Sequence, residues 1–187
     1  MKVLYQGIAG AYSHLAVLAH QPGARAEGVR DFAAIVQGVA SGSADRGLVP
    51  ISNTIVGAVP GAAEAIESSP EVEILATFDQ RITHCLAALP AADLASIRWV
   101  ESHPVALAQC ARWLSGRRLA PHAVEDTAGA ARAIAADRDW TRAAICNAEA
   151  AERYGLVVLA RDIADCPDNY TTFALVGRRV AAAVRAA

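Results

Sequence analysis

Five polar side chains crowd the stretch 165-DCPDNYTTFALVG-177: Asp165, Asp168, Asn169, Thr171 and Thr172, with the apolar run Phe173 to Val176 directly behind them. Hydroxyls and amides at the start of a strand can hydrogen-bond a small polar ligand, and alternation sends Thr171 to one face and Thr172 to the other. The same residues also make an ordinary turn into a strand, and composition does not choose between the two. A second cluster follows an apolar run in 49-VPISNTIVGAV-59, where Ser52, Asn53 and Thr54 suit either a ligand or an Asx or Ser/Thr turn. In 7-GIAGAYSH-14, glycines allow close backbone approach and Ser13 is placed to cap a helix whose first amides favour an anion. A tight strand-to-helix turn needs those residues for structural reasons alone. His84, inside 82-ITHCLAAL-89, reads as a satisfied core histidine, and Ser102 or His103 as the cap of a helix with Pro104 in its first turn. No serine sits in a nucleophile elbow, and no histidine or cysteine pair has metal-ligand spacing.

The elements that must position these groups alternate in type. Apolar runs predict strands at 2–6, 47–51, 72–78, 83–89, 97–102, 142–146, 156–160 and 172–177. Cap residues and apolar periodicity predict helices over 13–20, 31–42, 103–116, 126–137 and 147–155, with Asp31, Asp126 and Asn147 as caps and Gly155 past the last. The βαβα order argues an α/β fold with mainly parallel sheets and a ligand at the carboxyl ends of strands. The Pro/Ala-rich 89-LPAADLAS-96 reads as a surface loop, and the terminal AAAVRAA as a last helical turn or a frayed end.

The 187 residues suffice for one sizeable domain or two small lobes, and 54% hydrophobic content with few aromatics points to an Ala/Val/Leu core. A formal charge of −2 and scattered Lys and Arg argue against nucleic acid or a membrane surface as partner. The N-terminus is no signal peptide and no stretch reaches the length of a membrane span, so a cytoplasmic location is expected. Cys85, Cys110, Cys146 and Cys166 lie far apart without a CxxC pair and read as reduced core thiols.

Taken in order, these segments resemble the prephenate dehydratase domain over nearly the whole chain. The most specific match, 102-SHPVALAQCARWL-114, is similar to that family's SHPQALAQC helix start. Around it stand 7-GIAGAYSH-14 for GPxGTFSH, 50-PISNTIVGAV-59 for PIENSxxGxV, 82-ITHCL-86 for IxHCL and 127-TAGAA-131 for STAxAA. The segment 142-RAAICNAEAAERYGLVVLARDIADCPDNYTTF-173 resembles AAIxxxxAAxxYGLxxLAxxIxDxxxNxTRF, so that 171-TTF-173 matches the family's catalytic TRF.

The resemblance implies a two-lobed α/β fold like that of periplasmic binding proteins, with the site in the cleft between lobes. Residues 1–77 with 161–187 are expected in one lobe and 78–160 in the other. It implies a carbon–oxygen lyase of aromatic amino acid biosynthesis, in the shikimate pathway to phenylalanine, converting prephenate to phenylpyruvate without metal or organic cofactor. Thr171 is then the catalytic hydrogen-bond donor to the leaving hydroxyl. Ser13, Asn53, Thr54, Ser102, His103, Thr127, Asn169, Thr172 and Phe173 are the expected substrate-binding residues. A homodimer is expected, and no phenylalanine feedback through the family's ACT regulatory domain. Departures fall near the chemistry: Thr172 for the family's arginine, Ser52 for its glutamate, Ala11 for threonine or serine, Ile8 for proline and Asp126 for the serine of STA. Losing one charge-assisted hydrogen bond costs roughly 1.5–3 kcal/mol, about a ten- to hundredfold loss of binding, which loss of the glutamate offsets if the two were partners. Arg81 is a substitute cation or a surface residue. Arogenate in place of prephenate, a non-aromatising decarboxylation, and a non-catalytic binder of small anions are the alternatives.

Overall fold

β-branched and leucine-rich runs bury both of their faces, so they become inner strands rather than half-exposed ones. The computed structural model describes residues 1–179. The elements run β1 (Lys2–Gln6), α1 (Tyr12–His20), β2 (Arg25–Val29), α2 (Phe32–Ala40), β3 (Arg46–Asn53), β4 (Gly57–Ala58), α3 (Ala62–Glu67), β5 (Val72–Arg81) and β6 (Cys85–Ala88). They continue as β7 (Trp99–Ser102), α4 (Pro104–Gln109), α5 (Ala111–Ser115), β8 (Ala120–Ala123), α6 (Thr127–Asp137), β9 (Arg142–Cys146), α7 (Ala148–Arg153), β10 (Val157–Ala160) and β11 (Tyr170–Arg178). One sheet has the order β2-β1-β3-β11-β5, with β4 on β3; the other has β10-β6-β9-β7-β8.

Two compact units divide the chain. Among the described residues the first holds Met1–Gln6, Ala16–Gln80 and 171–179, and the second holds Gly7–Leu15 and Arg81–Tyr170. This differs from the expected division, which put 7–15 and 161–170 with the first lobe. Ile8 and Ala11 pack instead on the Ala128, Ala131 and Leu156 cluster, and Asn147 Nδ2 donates to the Gly10 carbonyl at 2.7 Å. The Ile163 and Asp165 amides donate to the carbonyls of His84 (3.1 Å) and Gln109 (2.7 Å).

The inner strands of each sheet are buried on both faces by alternation, whereas β2, β5 and β8 at the edges are largely exposed or half-buried. In the first unit Val3 and Tyr5 enter one cluster with Phe173 and Leu175, while Leu4 enters another with Val49, Ala174 and Val176. In the second unit Leu86, Ala143 and Ile145 face one cluster and Ala87, Ala144 and Cys146 the other.

The expected parallel order holds only in part. β1 is parallel to β2 and β3, and β7 to β8 and β9, but β3–β11, β6–β9 and β6–β10 are antiparallel. The chain reaches β11 from the other unit rather than through a crossover helix, so nothing forces it parallel to β3. Besides the two-residue β4, three short elements escape the pattern of the sequence. β2, RAEGV, lacks apolar alternation, β8 carries Pro121 on an edge strand, and α3 spans only Ala62–Glu67. The helix expected over 103–116 breaks at Cys110 into α4 and α5. Asp31, Asp126 and Asn147 cap as expected, accepting from the amides of Ala34 (2.8 Å), Gly129 (2.5 Å) and Ala150 (2.7 Å). The loop at 89–96 is tied by Asp93–Ser96 bonds, and it buries Leu89 and Ala92 rather than lying wholly on the surface. Cys85, Cys110 and Cys146 are buried free thiols, whereas Cys166, in the polar turn before β11, is exposed. The terminal AAAVRAA lies outside the described residues.

Candidate active site

In the first unit the site starts from strand pairing. β11 runs antiparallel to β3 with Thr171 opposite Asn53 and Thr172 opposite Ser52, and a bulge follows at once, so that Phe173 faces Pro50. A bulge re-aims the residues beside it, a recurrent device next to catalytic groups. The Asn53 side chain closes an Asx turn. Its Oδ1 accepts from the amides of Ile55 (2.9 Å) and Val56 (3.2 Å), which fixes the amide's orientation and turns Nδ2 to Thr171 Oγ1 at 3.0 Å. Thr171 therefore accepts through its oxygen, and its hydroxyl proton is left to be given to another group.

The neighbouring pair departs from the family's pattern in the same register. Thr172 Oγ1 donates to Asp79 Oδ1 on β5 at 2.7 Å. A carboxylate thus stands beside the position where the family has arginine. Ser52, in place of the family's glutamate, lies directly across the ladder from Thr172.

In the second unit a chain of polar side chains links four of the quoted motifs. The turn before α1 needs Gly7 and Gly10, both at positive φ (106° and 93°), and a Cβ on Gly10 would lie 3.2 Å from that of Ala150. That turn delivers Tyr12, whose hydroxyl lies 2.6 Å from the Thr83 carbonyl oxygen and 2.8 Å from His84 Nδ1. His84 Nε2 is 2.8 Å from Gln109 Oε1, and Asn169 Nδ2 donates to the same oxygen at 3.0 Å. The Asn169 carbonyl in turn accepts from the Ile82 amide at 2.8 Å. Burial pulls the His84 pKa below its ordinary value despite the opposing effect of its hydrogen bond to the Gln109 carbonyl oxygen. Burial, with the neighbouring thiols, pushes the Tyr12 phenol well above its own, so both groups are neutral near pH 7.

The expected site residues meet different fates. Thr171 and Asn53 come together, and Thr54 sits exposed in the turn that Asn53 closes. Thr127 is half-buried at the first position of α6. His103 caps α4, its Nδ1 accepting from the Val105 amide at 3.2 Å. Ser13 is not the cap of α1, which begins one residue earlier and buries it in the first turn. Ser102 is fully buried and donates its proton to the Ile145 carbonyl at 2.6 Å, tying β7 to β9. Phe173 is 1% exposed among Val3, Tyr5 and Leu48, a core residue. Asn169 is likewise fully buried, and it ties the approach to β11 to Gln109 and Ile82. Gln109 and Asp79 were not singled out from the sequence. The helix-start motif that contains Gln109 was the available signal; for Asp79 there was none, since nothing local marks a carboxylate on a strand as the partner of a residue so distant in sequence.

Comparison with known proteins agrees with these motifs. The family described as "Prephenate dehydratase" matches residues 3–181. An arogenate dehydratase/prephenate dehydratase of Arabidopsis thaliana is 35% identical over 178 residues, which cover 95% of this chain and 46% of that protein. A bifunctional N-acyl-homoserine lactone acylase/prephenate dehydratase of Komagataeibacter europaeus is 35% identical over 182 residues, covering 96% of this chain and 63% of its own. The chain thus spans less than two thirds of either relative. The crystal structure of prephenate dehydratase from Arthrobacter aurescens in complex with L-Phe superposes with a TM-score of 0.89 at 31% identity, covering all of this chain and 63% of that one. The two-lobed, periplasmic-binding-protein-like α/β architecture expected from the sequence is the one it shares. Matched by the family's pattern from β1 to beyond β11, the chain belongs to the prephenate dehydratase family.

Proposed function

We propose that this chain catalyses the decarboxylating dehydration of prephenate to phenylpyruvate, with Thr171 hydrogen-bonding the departing ring hydroxyl. The observation that carries this reading is the Asn53 amide on Thr171 Oγ1, which leaves the threonine proton for a second acceptor. As carbon dioxide leaves, the electron pair of the broken C–C bond enters the ring and expels hydroxide, which takes up a proton to become water. The ring gains aromaticity, so the protein need only hold the dianion, stabilise the departing oxygen and exclude water. A threonine hydroxyl is too weak an acid to ionise, and it acts as a donor within a proton relay. No step calls for an electron sink, so no cofactor is assigned. The first-turn amides of α1 and α6, and the side chains of Ser13, Thr54, His103 and Thr127, are assigned to the carboxylates. A cytoplasmic homodimer without nucleic-acid or membrane partners completes the reading.

The same step on arogenate is the second reading, and Thr172 favours it. A neutral hydroxyl bonded to the Asp79 carboxylate stands where the family has a cation, and arogenate carries an ammonium group that prephenate lacks. The test is product identification with each substrate. Phenylpyruvate from prephenate, or phenylalanine from arogenate, is expected from wild type, with kcat reduced about a hundredfold in Thr171→Ala. A dihydro-ring product would make the chain a non-aromatising decarboxylase, and tight binding without turnover would make it a binding protein.

A further inference from the structure

Cys85 on β6 and Cys146 on β9 stand directly opposite each other in the antiparallel ladder. Both side chains enter the same apolar cluster, with Ala87, Ala144 and Ala150, so they share one face of the sheet. Facing Cα atoms of an antiparallel pair are about 4.5 or 5.5 Å apart, according to their place in the ladder, and a disulfide spans roughly 4.4–6.8 Å. The pair meets that requirement at either kind of position. Its two sulfurs already touch through a hydrogen bond. That bond and Arg161 pull the Cys85 pKa below its ordinary value, against burial and the charges of Glu149 and Asp162, whereas the same bond and burial hold Cys146 well above its own. Cys85 is thus the better nucleophile of the two. Cys110 lies in the cluster on the other face, and Cys166 is exposed in the turn before β11.

We propose that Cys85 and Cys146 form a site of reversible oxidation, joined by a disulfide across β6 and β9 when the folded protein meets hydrogen peroxide. The Cys85 thiolate attacks one peroxide oxygen, the O–O bond breaks, and the sulfur becomes a sulfenic acid while the departing hydroxide takes up the proton that Cys85 released. The Cys146 sulfur then attacks the sulfenic sulfur, the S–O bond breaks, and the second hydroxide leaves as water with the Cys146 proton. Two thiols and one peroxide become one disulfide and two waters. Cys85 is 3% exposed and Cys146 not at all, so the reagent is a molecule close to water in size rather than a bulky disulfide. In a reducing compartment such a bond is transient, and the pair rests as thiols. Neither step involves the substrate, so the site stands apart from the proposed function.

The test is peptide mapping of the folded chain after hydrogen peroxide, with remaining thiols blocked by iodoacetamide in urea and no reductant added. A linked pair of peptides holding Cys85 and Cys146, two hydrogens lighter than the thiols, is expected, and dithiothreitol should restore both. In Cys146→Ser, dimedone should trap the sulfenic acid on Cys85. The bond closes the chain between β6 and β9 into a covalent loop, so oxidation should raise the urea midpoint in wild type and in Cys166→Ser alike. Alkylation of both Cys85 and Cys146 after peroxide has fully oxidised Cys166 would overturn the proposal, as would a bond that forms only in urea or a midpoint that oxidation lowers. Should Cys146→Ser not fold, the wild-type map decides by itself.

Discussion

Whether Thr171 gives or takes a hydrogen bond is decided by one atom of its neighbour. Asn53 holds its carbonyl oxygen on two backbone amides, so the group facing Thr171 is a donor. Asn53→Asp keeps the size and both turn bonds but presents an oxygen, and Thr171 then spends its proton on the new carboxylate. We expect kcat to fall about tenfold or more with the unfolding midpoint almost unchanged, read from steady-state kinetics and urea denaturation. A residue-level pH effect follows from His84. Burial depresses its folded-state pKa, so at pH values below the ordinary histidine value of about 6.5 the unfolded chain binds more protons than the folded one. Stability is therefore fully present above that value and falls as pH drops toward the depressed folded-state pKa. His14, shifted the same way by burial and by Arg153, adds to the slope. The urea midpoint should fall between about pH 7 and 5, and His84→Gln should flatten the fall. Cys110 carries no reactive thiolate, since burial, Asp165 and Cys85 push its pKa up to about 12.

At the scale of elements, the β3–β11 ladder explains why two substitutions fall together. Ser52 and Thr172 are cross-strand partners, so restoring Glu and Arg places opposite charges directly across an antiparallel pair. Ser52→Glu with Thr172→Arg should show a coupling of about 0.2–1 kcal/mol in stability, measured as a double-mutant cycle by urea denaturation. Thr172→Arg alone gains Asp79 as its partner, which limits the coupling to the lower end of that range if the arginine stays on β5. Most of these elements were legible in the sequence because their apolar runs and caps are local signals: 2–6, 142–146 and the caps Asp31, Asp126 and Asn147 lie where expected. β2 was not, because Glu27 and Gly28 give no alternation and only its pairing with β1 makes it a strand. Two motifs far apart in sequence marked Thr171 and Asn53, and the β3–β11 ladder brings the two side chains together. Phe173, Ser102 and Asn169 are buried in packing or hydrogen bonds, which motif spacing alone does not distinguish from ligand contacts.

For the whole molecule, two units with separate cores are threaded by one chain that changes unit near residues 6, 15, 80 and 170. The segment 7–15 is the most distant visitor in sequence, and Asn147, almost fully buried, holds it while capping α7. Asn147→Ala removes the cap and leaves the Gly10 carbonyl unpaired, so we expect a loss of about 2–4 kcal/mol and faster hydrogen exchange in the amides of Tyr12–Leu15. The same threading governs how the protein comes into being on the ribosome. β11 is the last described strand to be synthesised, yet it lies between β3 and β5 in the middle of its sheet. Until it emerges, β3 lacks that neighbour and β5 has no place in the sheet, and both offer open edges to chaperones or to other nascent chains. Insertion of the closing strand thus finishes the sheet and brings Thr171 to Asn53 in one event, so a chain cut short before that point has neither a completed first unit nor the Thr171–Asn53 pair.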